Sequence, residues 1–158
     1  MRQTDADVEL MAAHSIREQI LQTLVAVLTP VATSQAATVW RTPSVAINRD
    51  QCPALVVFPE SESLADRAND RVTRELTVRI TALARAVPPV IPETVADALL
   101  CAAHAALMRD ANLGGLAIAV REVESEWEVD DADAIACSAS ARYQITYRTL
   151  IADISVQA

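Results

Sequence analysis

The amino-acid sequence predicts a single α+β domain over residues 1–158, with two main α-helices packed on a mixed or antiparallel β-sheet of about five strands. Two stretches repeat apolar residues every three to four positions, and several others alternate apolar and polar residues. Glycines and prolines separate these stretches. The predicted order of elements is α-β-β-β-α-β-β, and a chain of this length can bury roughly 70% of its unfolded surface in one core.

The two helices are predicted over about 8–28 and 93–109. The first shows an amphipathic repeat at four-residue spacing, made by Ile16, Ile20, Leu24 and Leu28. Pro30 is expected to end it, because proline lacks the N–H that continues a helix. The second begins near Pro92, where a first turn tolerates the missing N–H. Its many alanines allow close packing against a sheet or a neighbouring subunit.

The first three strands are predicted between the helices. Short apolar runs bordered by prolines predict strands at 38–42 and 54–58. The polar segment 60–70 is expected to be a loop. From Val72 onward, a two-residue alternation of apolar and polar residues predicts a long, half-buried strand whose second face carries Thr, Arg and Glu.

Gly114 and Gly115 are the only glycines in the chain, and they separate the second helix from a strand predicted to start at Leu116. Glycine readily takes the positive φ that lets the backbone turn after a helix. We therefore predict a structural turn at this pair. Phosphate-binding loops and dinucleotide fingerprints need several glycines at fixed offsets, so the pair cannot form either one.

The last two strands are predicted to form a long hairpin. Apolar residues occupy even positions up to Val120 and odd positions from Val123, which predicts a β-bulge near Arg121 and Glu122. The return strand has its inward residues at odd positions, which are Cys137, Ala139, Ala141, Tyr143, Ile145 and Tyr147.

Composition excludes several classes of function. All 13 basic residues are arginine, so neither a Schiff-base lysine nor the lysine of a nucleotide-binding loop is present. The formal charge of −8 opposes broad, non-specific binding to a nucleic-acid backbone. Three cysteines match no disulfide framework or zinc ribbon, and no segment has the length of a spanning helix. We expect a protein made in a cytoplasm, without cofactors and without a membrane.

Asp97, Cys101 and His104 can share one face of the second helix, and their side chains are possible metal ligands. A fourth ligand is missing from the pattern. The favoured interpretation is a half-buried thiol beside a surface histidine, with no metal or catalytic role.

Carboxylates alternate along the strand at 122–130 and are predicted to share one face: Glu122, Glu124, Glu126, Glu128 and Asp130. Two of them could act as acid and base in a small hydrolase, for which Glu124 and Glu126 are the candidates. The row could also form a charged assembly surface or simply be solvated. Charged rows protect edge strands from unwanted pairing, and catalysis is the least favoured of the three interpretations.

Four arginines cluster around the start of the third strand: Arg67, Arg71, Arg74 and Arg79. They could meet the acidic hairpin of another copy, as a ring of identical subunits requires. They could equally pair across strands inside one subunit. Both interpretations remain open, and these arginines together with the acidic row form the predicted subunit or partner interface.

Several segments carry a resemblance to a known family. They are the run at 107–110, the glycine corner at 113–117, Arg121-Glu122, Glu126-Trp127-Glu128 and the final strand at 143–149. Together with the long first helix and the strand through 53–58, this pattern resembles the tail terminator, or minor tail and tail completion, proteins of long-tailed bacteriophages.

The resemblance implies a non-enzymatic virion protein that assembles as a hexameric ring on the end of the tail tube, stops tube polymerisation and offers a surface to the neck or connector. It implies a location at the head-proximal end of the tail, after assembly in a bacterial cytoplasm, with DNA passing through the channel without specific binding. A head–tail connector or neck subunit of similar fold is the alternative.

Overall fold

The computed structural model describes residues 13–129 and 136–158, and the elements within them confirm the predicted class and order. In chain order they are α1 (Ile16–Ser34), β1 (Thr38–Arg41), β2 (Ala54–Ala68), β3 (Arg71–Arg85), α2 (Pro92–Arg109), β4 (Ala119–Val129) and β5 (Ala136–Leu150). A short 3₁₀ turn, Arg49–Gln51, precedes β2. Within the described residues, neither helix is long and apolar enough to span a membrane.

The five strands form one mixed sheet in the order β1-β2-β3-β5-β4. β1 is parallel to β2, and every other neighbouring pair is antiparallel. Both helices pack on one face of this sheet, here called the helix face, while the other is called the open face. The odd-numbered residues of β5 lie on the helix face, as the alternation predicted.

The core lies between the helices and the helix face. It contains the predicted stripe of α1, together with long apolar residues of β3 and the two tyrosines of β5: Ile16, Ile20, Leu24, Leu28, Leu76, Ile80, Tyr143 and Tyr147. Fully burying one such side chain stabilises the fold by about 1.5–3 kcal/mol. Ser15 caps α1 by accepting a hydrogen bond from the Glu18 backbone N–H at 3.2 Å.

The prediction that Pro30 ends α1 is wrong, because the helix continues to Ser34 with Pro30 inside it. Pro30 is exposed, so water can reach the carbonyl that its missing N–H leaves unpaired. Ala32, which is buried, holds the last turn against the core. The backbone N–H of Gln35 then closes the helix by donating to Ala32 O.

The prediction of a loop over 60–70 is also wrong. β2 runs on to Ala68 and pairs with β3 down to Ala68 opposite Arg71, with Asn69 and Asp70 as a two-residue turn. Asn69 has φ +57°, a conformation typical of tight hairpin turns. The segment is polar because much of it lies at the sheet edge beyond β1, where most of its side chains are exposed.

Candidate assembly surface

The structure separates the four predicted interface arginines. Arg74 lies on the helix face and Arg79 on the open face, while Arg67 and Arg71 flank the exposed β2–β3 turn. Arg71 faces Asp70 at 3.8 Å, but both side chains are largely exposed, so this ion pair contributes little. Arg67 has no ion pair within residues 13–129 and 136–158.

Arg74 belongs to a half-buried network inside the subunit. Its Nη1 donates to Glu62 Oε2 at 3.0 Å, and its Nε donates to Thr149 Oγ1 at 3.0 Å. The hydroxyl of Tyr147 donates to the other oxygen of Glu62. Burial and this carboxylate raise the pKa of Tyr147, so the phenol stays protonated. The network joins β2, β3 and β5 within one subunit.

Arg79 is also engaged inside the subunit. Its Nε lies 3.2 Å from Glu60 Oε1, and its guanidinium lies over the Phe58 ring, 5.2 Å from the centroid. The Nε–H is not aligned for a hydrogen bond to that carboxylate, so the contact is an ion pair without one. For Arg74 and Arg79, the cross-strand alternative is therefore the one that the structure contains.

The acidic row does not share one face, which corrects the prediction. The expected bulge is present, as a register shift between Glu122 and Glu124. One extra residue reverses the side of the strand on which later residues lie. Glu122 is paired with Tyr143 on the helix face, whereas Glu124, Glu126 and Glu128 lie on the open face. Asp130 lies outside the described residues.

Arg142 of β5 gathers the carboxylates of the open face. Its Nη1 donates to Glu124 Oε2 at 2.8 Å, its Nη2 to Glu126 Oε1 at 3.3 Å, and its Nε to Glu60 Oε2 at 2.8 Å. These hydrogen bonds raise the pKa of Arg142, Glu60 having the largest effect. One guanidinium thus ties β5 to β4 on one side and, across β3, to β2 on the other.

The structure does not form a metal site from Asp97, Cys101 and His104. Among the described residues, no three His, Cys, Asp or Glu side chains are grouped to hold a metal ion. His104 Nδ1 lies instead 2.9 Å from the Tyr143 hydroxyl and 3.5 Å from Glu122 Oε2. The buried Tyr143 hydroxyl therefore has a partner, and Glu122 is drawn towards α2.

The other two thiols lie beside one surface depression. Cys52 and Cys137 border a surface depression of about 570 Å³, and burial raises the pKa of both thiols. A nucleophilic cysteine needs the opposite shift, which favours its thiolate form.

Gly114 and Gly115 form the predicted turn, with φ of +68° and +91°. The Gly114 N–H donates to Asp110 Oδ2 at 2.8 Å, and the Gly115 N–H donates to Asn112 O at 3.0 Å. Strand β4 begins at Ala119, three residues later than predicted, because the turn extends through Leu116.

Two long sheet edges are unpaired within the described part of the chain. β1 covers β2 only from Ala54 to Val57, so the rest of β2, from Phe58 to Ala68, has one free side. β4 is the outermost strand at the other end of the sheet, and nothing described pairs with its outer side. Such edges present a row of free N–H and C=O groups.

Comparisons with known proteins add a distant structural likeness. No protein-family model matches the chain, and no curated protein matches it. Among solved structures, it is similar to a chain of the "Virion of native gene transfer agent (GTA) particle". The two share 9% sequence identity with a TM-score of 0.42, over 92% of this chain and 100% of that chain. A likeness at this level assigns no family and no activity.

Sequence reasoning missed the partners that occupy the arginines. Glu60 and Glu62 lie in the segment that was expected to be a loop, and Arg142 is not among the predicted interface residues. The Glu-Ser-Glu-Ser run at 60–63 is polar at every position, so the alternation of apolar and polar residues that indicates a half-buried strand is absent there.

Proposed function

We propose that this chain is a virion structural protein that acts as a tail terminator. In this proposal, six copies form a ring on the end of a phage-type tail tube, stop its polymerisation and offer the attachment surface for the neck. The observation that carries the proposal is the pair of long free edges on β2 and β4. A subunit with two different free edges is suited to head-to-tail assembly, because each copy can use both of them.

A structural role also fits the chemistry of the acidic row. Glu124 and Glu126 are exposed and share the guanidinium of Arg142. An acid and base pair needs two carboxylates in different environments, which a shared arginine on an open surface does not supply. We therefore propose that this strand serves assembly and not hydrolysis.

The charge of −8 supports a channel through which DNA passes without binding. Non-specific DNA binding depends on arginines and lysines that neutralise phosphates. Here Arg74, Arg79 and Arg142 are paired with carboxylates of the same chain. In the proposed ring these arginines are unavailable to DNA, and the excess of carboxylates repels its backbone.

The test is the polymerisation of the tail tube protein from the same particle in the presence of this chain. Substoichiometric amounts should shorten the tubes and leave a ring at one end in electron micrographs. Arg109→Glu, on the exposed end of α2, should behave like the wild type as a matched control. Tubes of unchanged length with bare ends would contradict the terminator role. Binding to isolated connectors alone would favour the neck alternative.

A further inference from the structure

The two free edges have the same length. β4 has 11 residues, and the free part of β2, from Phe58 to Ala68, has as many. They lie at opposite ends of the sheet, so they cannot meet within one subunit. If the helices of two copies lie on the same side, β4 of one copy runs antiparallel to β2 of the other, because β2 and β4 are antiparallel within the sheet.

The irregularities of the two strands also match. β2 has a register shift between Leu64 and Asp66, and β4 has one between Glu122 and Glu124. When Ala68 of one copy is set opposite Ala119 of another, the extra residues Ala65 and Val123 come one pair apart, on either side of a Leu64–Glu122 pair on the helix face. The two shifts then cancel, and paired side chains keep a common face on both sides of the irregularity.

This register gives a favourable set of opposing side chains on the open face. Asp66 comes opposite Arg121, Ser63 opposite Glu124 and Ser61 opposite Glu126. On the helix face, Glu62 comes opposite Ser125. Opposite charges stabilise a cross-strand pair and like charges destabilise it. Over this stretch no two like charges are directly opposed, although both strands are acidic.

The same register gives a partner to the most exposed tryptophan. Trp127 is on the helix face of β4, and 62% of it is exposed. Past a further register shift between Pro59 and Ser61, Pro59 comes opposite Trp127 on the same face. Aromatic residues are enriched in the cores of protein interfaces. Pairing β4 with β4 of a second copy would instead set glutamate against glutamate over 124–128.

We infer that the outer edge of β4 in one copy adds to the free edge of β2 in a second copy, antiparallel, with Asp66 opposite Arg121. This inference rests on the proposed ring and names its contact surface. The main-chain hydrogen bonds of the added strand hold the contact, and the bulges fix its register. The contact uses a different edge of each copy, so it can repeat from subunit to subunit. It closes a ring when the rotation between neighbouring copies brings the last copy back to the first.

A charge exchange tests the contact, because Asp66 and Arg121 can be coupled only between copies. Asp66→Arg and Arg121→Asp should each weaken self-association about two- to fivefold per contact, measured by sedimentation over a range of concentrations. The variant with both changes should regain wild-type association. Asp97→Arg and Arg109→Asp, two exposed positions on α2, are matched controls that should leave association unchanged.

A cross-link tests the register. Ser63→Cys and Glu124→Cys are made in separate chains that also carry Cys101→Ser, which removes the exposed native thiol. Directly opposed residues of antiparallel strands lie within disulfide range. Mild oxidation of the mixture should therefore give a linked dimer. Ser63→Cys mixed with Ser125→Cys, which faces the other side of the sheet, should give none.

The outcomes separate this contact from the proposed function. In one outcome, the wild type forms rings and shortens tubes, but the single charge changes have no effect and Ser63→Cys does not link to Glu124→Cys. The edge pairing is then wrong, and the terminator role stands. If the link forms and the charge exchange restores association while tubes keep their length, the contact stands and the role fails. A wild type that does not associate, together with Ser63→Cys and Glu124→Cys variants that do not link, overturns the contact.

Discussion

Arg142 Nη1 lies 2.8 Å from Glu124 Oε2 and joins β5 to the edge strand β4. The same guanidinium reaches Glu60 of β2 at 2.8 Å, so one side chain spans the open face of the sheet. Arg142 also keeps Glu60, Glu124 and Glu126 from repelling one another. Arg142 lies on neither free edge and contacts both of the strands that carry them.

Arg142→Met should lower the melting temperature, because three carboxylates lose their shared partner while the stem of the side chain is kept. The loss should shrink in high salt, which screens the remaining repulsion. Thermal melts of Arg142→Met and of Arg109→Met, the exposed control, measure the difference. Equal melting temperatures at low salt would contradict the role given to Arg142.

Glu62→Ala should lower the free energy of unfolding by about 1–3 kcal/mol, since it leaves Arg74 and the Tyr147 hydroxyl without their acceptor in a half-buried site. Glu128→Ala is the matched control, because Glu128 is exposed and has no ion pair within the described chain. It should change stability by no more than about 0.5 kcal/mol. Denaturant unfolding compares the two variants. An equally small effect of Glu62→Ala would show that the network does not stabilise the fold.

Glu18→Gln should make stability less dependent on pH in acid. Two hydrogen bonds from Arg41, each 2.7 Å, lower the pKa of Glu18 from 4.5 to about 2. A carboxyl whose pKa is lowered by folding stabilises the protein above its unfolded pKa, and this stabilisation is lost as the pH falls from about 4.5 to about 2. Both side chains are partly exposed, so the contribution is no more than about 1 kcal/mol.

The measurement for Glu18 is denaturant unfolding at several pH values between 2 and 7. The wild type should lose more stability than Glu18→Gln between pH 5 and pH 2. Glu93→Gln, in the first turn of α2, is the matched control and should follow the wild type. Parallel pH curves for the wild type and Glu18→Gln would show that the Arg41 contact does not persist in solution.

Gly115→Val should lower the free energy of unfolding by about 1–3 kcal/mol, because a β-branched residue is strained at φ +91°. A Cβ at this position would meet no atom within 4 Å, so the effect comes from the backbone alone. Gly115→Asn should cost less, since asparagine tolerates positive φ better. A valine variant as stable as the wild type, with intact assembly, would show that the turn does not need glycine.

The sequence predicted correctly the parts of the fold in which apolar residues are buried and polar residues are exposed. The spacing of Ile16, Ile20, Leu24 and Leu28 identified the buried stripe of α1, and alternation identified the inward face of β5. The flip in apolar parity around Arg121 identified the bulge of β4. In each case the buried side chains recur with the period of their own element, which is about 3.6 residues in a helix and 2 in a strand.

The wrong predictions concern residues whose polarity or residue type does not indicate the structure that they adopt. Residues 60–68 are polar because they lie at a sheet edge, and a strand exposed in this way has the composition of a loop. Pro30 was predicted to end α1 because proline lacks a backbone N–H. It lies instead on the exposed side of a helix that is held by tertiary packing. Glu122 lies on the opposite face from Glu124, because the bulge between them reverses the alternation of faces along β4.

The partners of the arginines depend on strand order, which local sequence patterns do not determine. Arg142 reaches Glu124 and Glu60 only because β5 lies between β3 and β4. That order also creates the two free edges on β2 and β4. The candidate surface could therefore be predicted in its residue types but not in its pairing.

The mass of the assembled protein tests the central claim most directly. Native mass spectrometry over a range of concentrations, repeated after incubation with tail tubes, should reveal a closed particle of six 17.0 kDa subunits, about 102 kDa, seen as a ring with a central hole in electron micrographs. A 17.0 kDa monomer at every concentration that also fails to sediment with the tubes would contradict it.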